Sequence, residues 1–228
     1  MILFLLACQP PIIDSNPGDT ADTESTDDTG DTGPQEPFDC PSLLGFVDGS
    51  TRSFQSVDGV DYDFSYTATV ATPTVSDDNE TLIEVTQIST QVGGGWAQYN
   101  ATETLSYRCD ATGAYYEGLR RDWSGTPEGS TSRSGWLEVE FEGYLYFPMD
   151  SSGPWTADWS GTFSDNNGNV VPDARIYTYT PMGEESVTVP AGTYQALKVQ
   201  RDADGTLSQE WYADGEGLVK TATIERVP

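Results

Sequence analysis

The chain has no histidine in 228 residues. That removes Ser–His and Cys–His nucleophile pairs, and with them the ordinary zinc, haem and non-haem iron sites. Positive charge is nearly as scarce: ten Lys and Arg stand against 37 Asp and Glu, for a net charge of −27. Such a balance repels nucleic acid and anionic lipid surfaces, so neither is an expected direct partner, and its ordinary meaning is solubility. No internal apolar run approaches the roughly 18 residues of a membrane-crossing helix. No window carries a convincing helical period either, which leaves room for one short segment near Pro41–Phe46 and little more. Cysteine occurs three times, at Cys8, Cys40 and Cys109.

What is present begins with MILFLLACQPPIID. A secretory leader opens on a basic stretch and carries an apolar core of about 7 to 15 residues, whereas here the apolar run is Ile2–Leu6 and the first base is Arg52. Residues 1–7 therefore read as the truncated end of a signal peptide whose initiator lies upstream. Leu5-Leu6-Ala7-Cys8 resembles the lipobox of bacterial lipoproteins at every position. The resemblance implies cleavage before Cys8, a diacylglyceryl group on its sulfur and a further acyl chain on its new amino terminus, enough for permanent attachment. Gln9 stands where Asp would resemble an inner-membrane retention signal, which implies outer-membrane anchoring with the protein facing the periplasm or the cell surface. Residues 8–37 continue as an Asp/Thr/Gly tether with eight acidic residues, no base and no aromatic. Such a segment cannot bury enough apolar surface to offset its ordering entropy. Extended, it holds a folded head on the order of 100 Å from the anchor.

Residues 38–228 have the size of one domain with a real core. With Cys8 acylated, Cys40 and Cys109 remain as an even pair in an exported chain; they read as a disulfide, with two buried thiols as the alternative. The stretch WLEVEFEGYLYF, Trp136–Phe147, alternates strictly. That predicts a long strand with Leu137, Val139, Phe141, Leu145 and Phe147 inward, and Trp136, Glu138, Glu140, Glu142, Tyr144 and Tyr146 outward. Gly143 in its middle marks a bend or bulge. In WTADWSGTF, Trp155–Phe163, large and small residues take turns along one face, as on a concave wall. Further strands are expected over Val60–Val70, Thr81–Val92, Trp96–Cys109, Arg175–Tyr179, Ser186–Val189, Tyr194–Arg201, Leu207–Ala213 and Leu218–Val227, with Gly-rich and Asn/Asp-Gly turns between them. About ten strands with hairpin-length links make an antiparallel meander. With no helices to cover its apolar face, the sheet must curl on itself. The fold class is all-β: a strongly curved antiparallel sheet, half-barrel or irregular barrel, with a two-layer sandwich as the alternative.

SVTVPAGTYQALKVQRDADGTLSQEWYADGEGLVKTATIE, Ser186–Glu225, resembles the C-terminal half of a family of bacterial exported proteins and lipoproteins. The shared positions are Val187, Val189, Pro190 to Tyr194, Ala196, Lys198 and Val199, then Trp211 to Ala213, Gly215 and Gly217 to Lys220. Ser106–Gly118 is similar more loosely. The resemblance implies the fold of the periplasmic carriers that localise lipoproteins, an open half-barrel with an apolar concave face, and it brings no enzymatic residues. The carriers' helical lid segments have no counterpart in this sequence.

Candidate chemistry is thin. A glycosidase-type carboxylate pair needs only two acids that meet in space, and no spacing selects any two. Asp165, Asn167, Asn169 and Asp173 loosely follow a calcium loop, but Val170 stands where Gly is needed and no Glu closes it, so no cofactor is expected and calcium is the minority reading. Six Trp, twelve Tyr and eight Phe are many for this length. Phe141, Phe147, Trp155, Trp159 and Phe163 should share the inner face, where they either fill the core or form the wall of an apolar ligand site. The expected function is a monomeric, non-enzymatic envelope lipoprotein that binds an apolar small ligand or an envelope protein. A surface that works through its acidic exterior and a carboxylate hydrolase are the alternatives.

Overall fold

The structure, a computed structural model, describes residues 40–165 and 170–228, without the side chains at positions 142, 159, 163, 165 and 173. The expectations for Cys8, the tether and the Asp165–Asp173 loop lie outside the described residues. One turn of 3-10 helix, Ser42–Leu44, precedes thirteen strands. They are β1 (Thr51–Ser56), β2 (Tyr62–Val70), β3 (Thr74–Val75), β4 (Thr81–Gly93), β5 (Trp96–Asp110), β6 (Gly113–Pro127), β7 (Arg133–Pro148), β8 (Trp155–Asp165), β9 (Val170–Val189), β10 (Gly192–Ala203), β11 (Thr206–Ala213), β12 (Gly217–Thr221) and β13 (Ile224–Val227).

From β4 to β13 each strand pairs with the next, β13 returns to β1, β1 pairs with β2, and β2 pairs with β4. The result is a closed antiparallel barrel of twelve strands, with β3 on β4 outside the ring. Closure hides the apolar face without helices and leaves the ring no free edges. The two-layer sandwich is not formed. β4 shows the alternation that drives the curl: Ile83, Val85, Ser89 and Gln91 are buried, while Leu82, Glu84, Thr86, Ile88 and Thr90 face out.

Several expected strands differ in extent. Arg175–Tyr179 and Ser186–Val189 are parts of one 20-residue strand, β9, because Pro181 and Gly183 bend it without ending its pairing to β10. Leu218–Val227 is two strands turned at Thr221–Thr223, and β1, β3 and β6 were not anticipated at all. In β7 the outward placement of Tyr144 and Tyr146 is overturned. The β6–β7 register slips twice, around Gly143 and at Tyr146. One extra residue reverses the facing of everything beyond it, so both tyrosines join Phe147 inside, in ring contact with Tyr116 and each other.

The segment after Cys40 plugs one end of the barrel. A disulfide joins Cys40 to the fully buried Cys109. Leu44 enters the main core cluster, and Phe46 meets Tyr107 at 4.9 Å between centroids. Arg52 donates to the carbonyls of Leu44 and Gly45, and Gly215 N–H donates to Ser42 O at 3.0 Å. The plug and the β11–β12 turn touch through two glycines with positive φ, Gly45 (+59°) and Gly217 (+78°). A Cβ on Gly217 would stand 2.5 Å from Leu44 O. Gly217→Ala is expected to cost about 2 kcal/mol, from the left-handed backbone and the unseated plug together; a melting temperature equal to wild type would contradict the seat.

Candidate functional site: the barrel interior

Pairing defines the inner face. On β5 and β6 the facing pairs are Tyr99–Gly125, Ala101–Trp123, Glu103–Arg121, Leu105–Leu119, Tyr107–Tyr116 and Cys109–Ala114. About eight strands leave an interior that side chains just fill, so a twelve-strand ring has room to spare. The chain deals with that room differently at its two ends.

Toward the plug the interior is packed with rings. Trp155 stacks on Tyr179 at 5.1 Å and 7°, and Phe147 meets Trp155 at 5.1 Å and Tyr212 at 5.2 Å. Polar atoms there form short relays. The hydroxyls of Tyr144 and Tyr179 lie 3.0 Å apart. Tyr212 donates to Glu210 Oε2 at 2.6 Å, so at the 3.2 Å contact between Tyr146 and Tyr212 the donor is Tyr146. Glu210 Oε1 stands 3.6 Å from Arg201, whose Nε donates to Ser208. Burial opposes the Arg201 charge, but Glu210 and the neighbouring phenols offset it, and its pKa is raised.

Toward the other end the inner wall keeps contact with solvent. Tyr66, Tyr99, Glu103, Arg121 and Trp123 are half-buried although they face the axis, beside the buried Ser89, Gln91 and Ala101, whereas the half-buried Leu105, Tyr107, Tyr116, Leu119, Leu137 and Phe141 pack against the core clusters. Glu103 and Arg121 pair, with side-chain exposures of 14% and 24%. Among the described residues the hydroxyls of Tyr66, Tyr107 and Tyr116 meet no protein partner. At the lip Trp96, Tyr99 and Trp123 touch one another at centroid distances of 5.0 to 6.2 Å, and Trp96 lies over Gly125. One end of the barrel is thus filled by rings and the plug, and toward the other the inner wall carries the Glu103–Arg121 pair and a group of touching rings.

Burial holds eight phenols protonated beyond the ordinary range: Tyr66, Tyr99, Tyr107, Tyr116, Tyr144 (pushed up to about 12), Tyr146, Tyr179 and Tyr212. A raised phenol pKa stabilises the fold fully below the unfolded value near 10. Above it the unfolded chain has released protons that the fold still binds, so stability falls by about 1.4 kcal/mol per pH unit for each such group. Unfolding between pH 10 and 12 is expected, with tyrosinate absorbance rising in the same cooperative step as loss of β circular dichroism. Smooth ionisation of all tyrosines near pH 10 in an intact barrel would contradict it.

Of the proposed ligand wall, Phe147 and Trp155 lie in the packed, plugged half. The Trp155 indole N–H is buried with no protein acceptor. Phe141 stands higher, 4.7 Å from Tyr116. The side chains of Trp159 and Phe163 lie outside the described set, although their backbones pair with Arg175 and Val171. The inner residues away from the plug, above all Tyr99, Glu103, Arg121 and Trp123, were not singled out from the sequence. The alternation of β5, with Tyr99, Glu103 and Tyr107 on one parity, was the available signal. The motif residues Val187, Tyr194, Ala196, Trp211, Ala213 and Val219 gather in a separate small cluster, where Trp211 donates to Glu185 at 2.7 Å and stacks under Lys198 at 5.1 Å. No family model, curated protein or solved structure matches the chain.

Proposed function

We propose that the chain is an envelope lipoprotein, held to the outer membrane through Cys8, whose barrel is a cup-like binding module with its ligand site in the half away from the plug. The observation that carries the reading is the partly exposed inner wall at Tyr99, Glu103, Arg121 and Trp123, with inward phenol hydroxyls below it that no described protein group satisfies. Buried polar groups ordinarily find partners, and a concave site with a few convergent polar groups is where small molecules bind. Anchoring by lipid agrees with the outer faces of the strands. Thr102, Thr104 and Ser106 on β5, Glu138 and Glu140 on β7, and Thr156, Asp158, Ser160 and Thr162 on β8 alternate with the inward residues. A barrel that crosses lipid turns apolar side chains outward.

Binding is favoured over turnover because, among the described residues, the inward carboxylates Glu103 and Glu210 are each committed to an arginine. Protein purified from envelopes in mild detergent should carry a small molecule detectable by native mass spectrometry. Leu119→Trp, which crowds the inner wall, should release it. An empty barrel in wild-type preparations, or a passenger unaffected by Leu119→Trp, would overturn the reading.

A further inference from the structure

The site proposed above has a lining that discriminates among ligand chemistries, and we propose that it takes a neutral, hydroxyl-rich ring compound, a sugar, stacked on the Trp123 and Tyr99 lip with its hydroxyls turned to Arg121, Glu103 and the Tyr99 phenol. The inference rests on the cup being a binding site and adds the class of occupant.

Four chemistries are distinguishable by what each would leave unsatisfied. An acyl chain would strip water from the Glu103–Arg121 pair and from the Tyr99 hydroxyl, and return nothing for the lost hydrogen bonds. A quaternary ammonium needs rings standing apart to receive it, whereas Trp96, Tyr99 and Trp123 already touch one another. They form a platform and not a cage. An anion meets the field of a chain of net charge −27 and, inside, an arginine already paired with Glu103. Displacing that carboxylate would leave a charge unpaired in a half-buried wall.

A polyol leaves none of these debts. Its C–H faces cover the indole and phenol rings, which present apolar bodies with polar tips. Its hydroxyls donate and accept, so they serve Glu103, which only accepts, Arg121, which only donates, and the Tyr99 phenol, which does both. The arrangement on the wall suits this. Arg121 precedes Trp123 by two residues on the same inner face, about 7 Å along the strand. Ala101, opposite Trp123, and Gly125, opposite Tyr99, keep the neighbouring inner positions small.

The test uses the full chain with Cys8→Ser, so that detergent is not needed, on an array of neutral and acidic oligosaccharides. Hits are quantified by titration calorimetry, and oleate is titrated in parallel. Expected is binding to one or more neutral glycans, weakened at least tenfold by Trp123→Ala and by Tyr99→Phe. The second variant removes only an oxygen that, among the described residues, has no protein partner, so its melting temperature should match wild type or exceed it, and a purely structural role would leave affinity unchanged. Binding confined to acidic glycans or to oleate overturns the sugar assignment while leaving the cup a binding site. Neutral-glycan binding indifferent to both variants overturns the placement, and no binding to any glycan overturns the class. The passenger measurement judges the cup itself independently of this array.

Discussion

Replacing Cys40 and Cys109 together with serine will lower the stability of the barrel by about 4 kcal/mol and its melting temperature by on the order of 10 °C. The disulfide spans a sequence separation of 69, and a crosslink of that reach removes much loop-closure entropy from the unfolded chain. The native state depends on it as well. Leu44, Phe46 and the Arg52 contacts hold the plug only while Cys40 is fixed at the Cys109 wall. Loss of the bond should therefore also expose Tyr107, the ring on which Phe46 sits. Calorimetry in matched buffers, with and without reductant, checks the figure. Because Cys109 is fully buried, reduction of the folded protein should be slow and should accelerate with urea. A double serine variant that melts within about 2 °C of wild type would show that the plug is not held by this bond.

The second large effect is expected at Glu210. Glu210→Leu leaves Arg201 without its carboxylate and Tyr212 without its acceptor. Breaking a buried pair from one side costs about 3 to 5 kcal/mol when it is fully desolvated; Arg201 keeps 28% of its side-chain exposure, so screening brings the expectation to about 2 to 3 kcal/mol. Removing both charges restores much of the loss. Arg201→Met with Glu210→Leu should be within about 1 kcal/mol of wild type, since a volume-filling apolar pair suits a wall of rings. Denaturant unfolding of the four proteins gives the coupling energy. Equal and additive losses in the two single variants would mean that the pair contributes nothing as a pair.

The barrel was legible in the sequence because its causes are local. Strict alternation in Trp136–Phe147 and in Trp155–Phe163, Gly-rich turns and the absence of helical period leave a sheet nothing but itself to cover its apolar side. Ring closure was not legible, because the pairing that closes it joins β2 to β4 and β1 to β13, and register between strands is set by contacts distant in sequence. β6 was missed because its inner face mixes Tyr116, Leu119, Arg121 and Trp123, which read as polar when hydrophobic alternation is the criterion. The same mixture is the reason the inner wall away from the plug went unseen. Phe141, Phe147 and Trp155 join the core as alternation places them, but parity fails past a bulge, and Tyr144 and Tyr146 were lost that way. The Cys40–Cys109 pairing followed from counting, whereas its purpose, holding a plug, needed the fold.

The account depends on the inner wall being wet in the half away from the plug and dry in its plugged half. Single cysteines placed at Leu119, Val199 and Thr102 in a Cys8→Ser background, treated with a charged, water-soluble thiol reagent under native conditions, measure this directly. Leu119 is half-buried on the inner face, Val199 is fully buried on the plugged side, and Thr102 is an exposed outer position. The cup predicts that Leu119→Cys reacts at a rate within about tenfold of Thr102→Cys, while Val199→Cys reacts only as fast as the barrel unfolds. Leu119→Cys as protected as Val199→Cys would contradict it, and the ligand site would have no space to occupy.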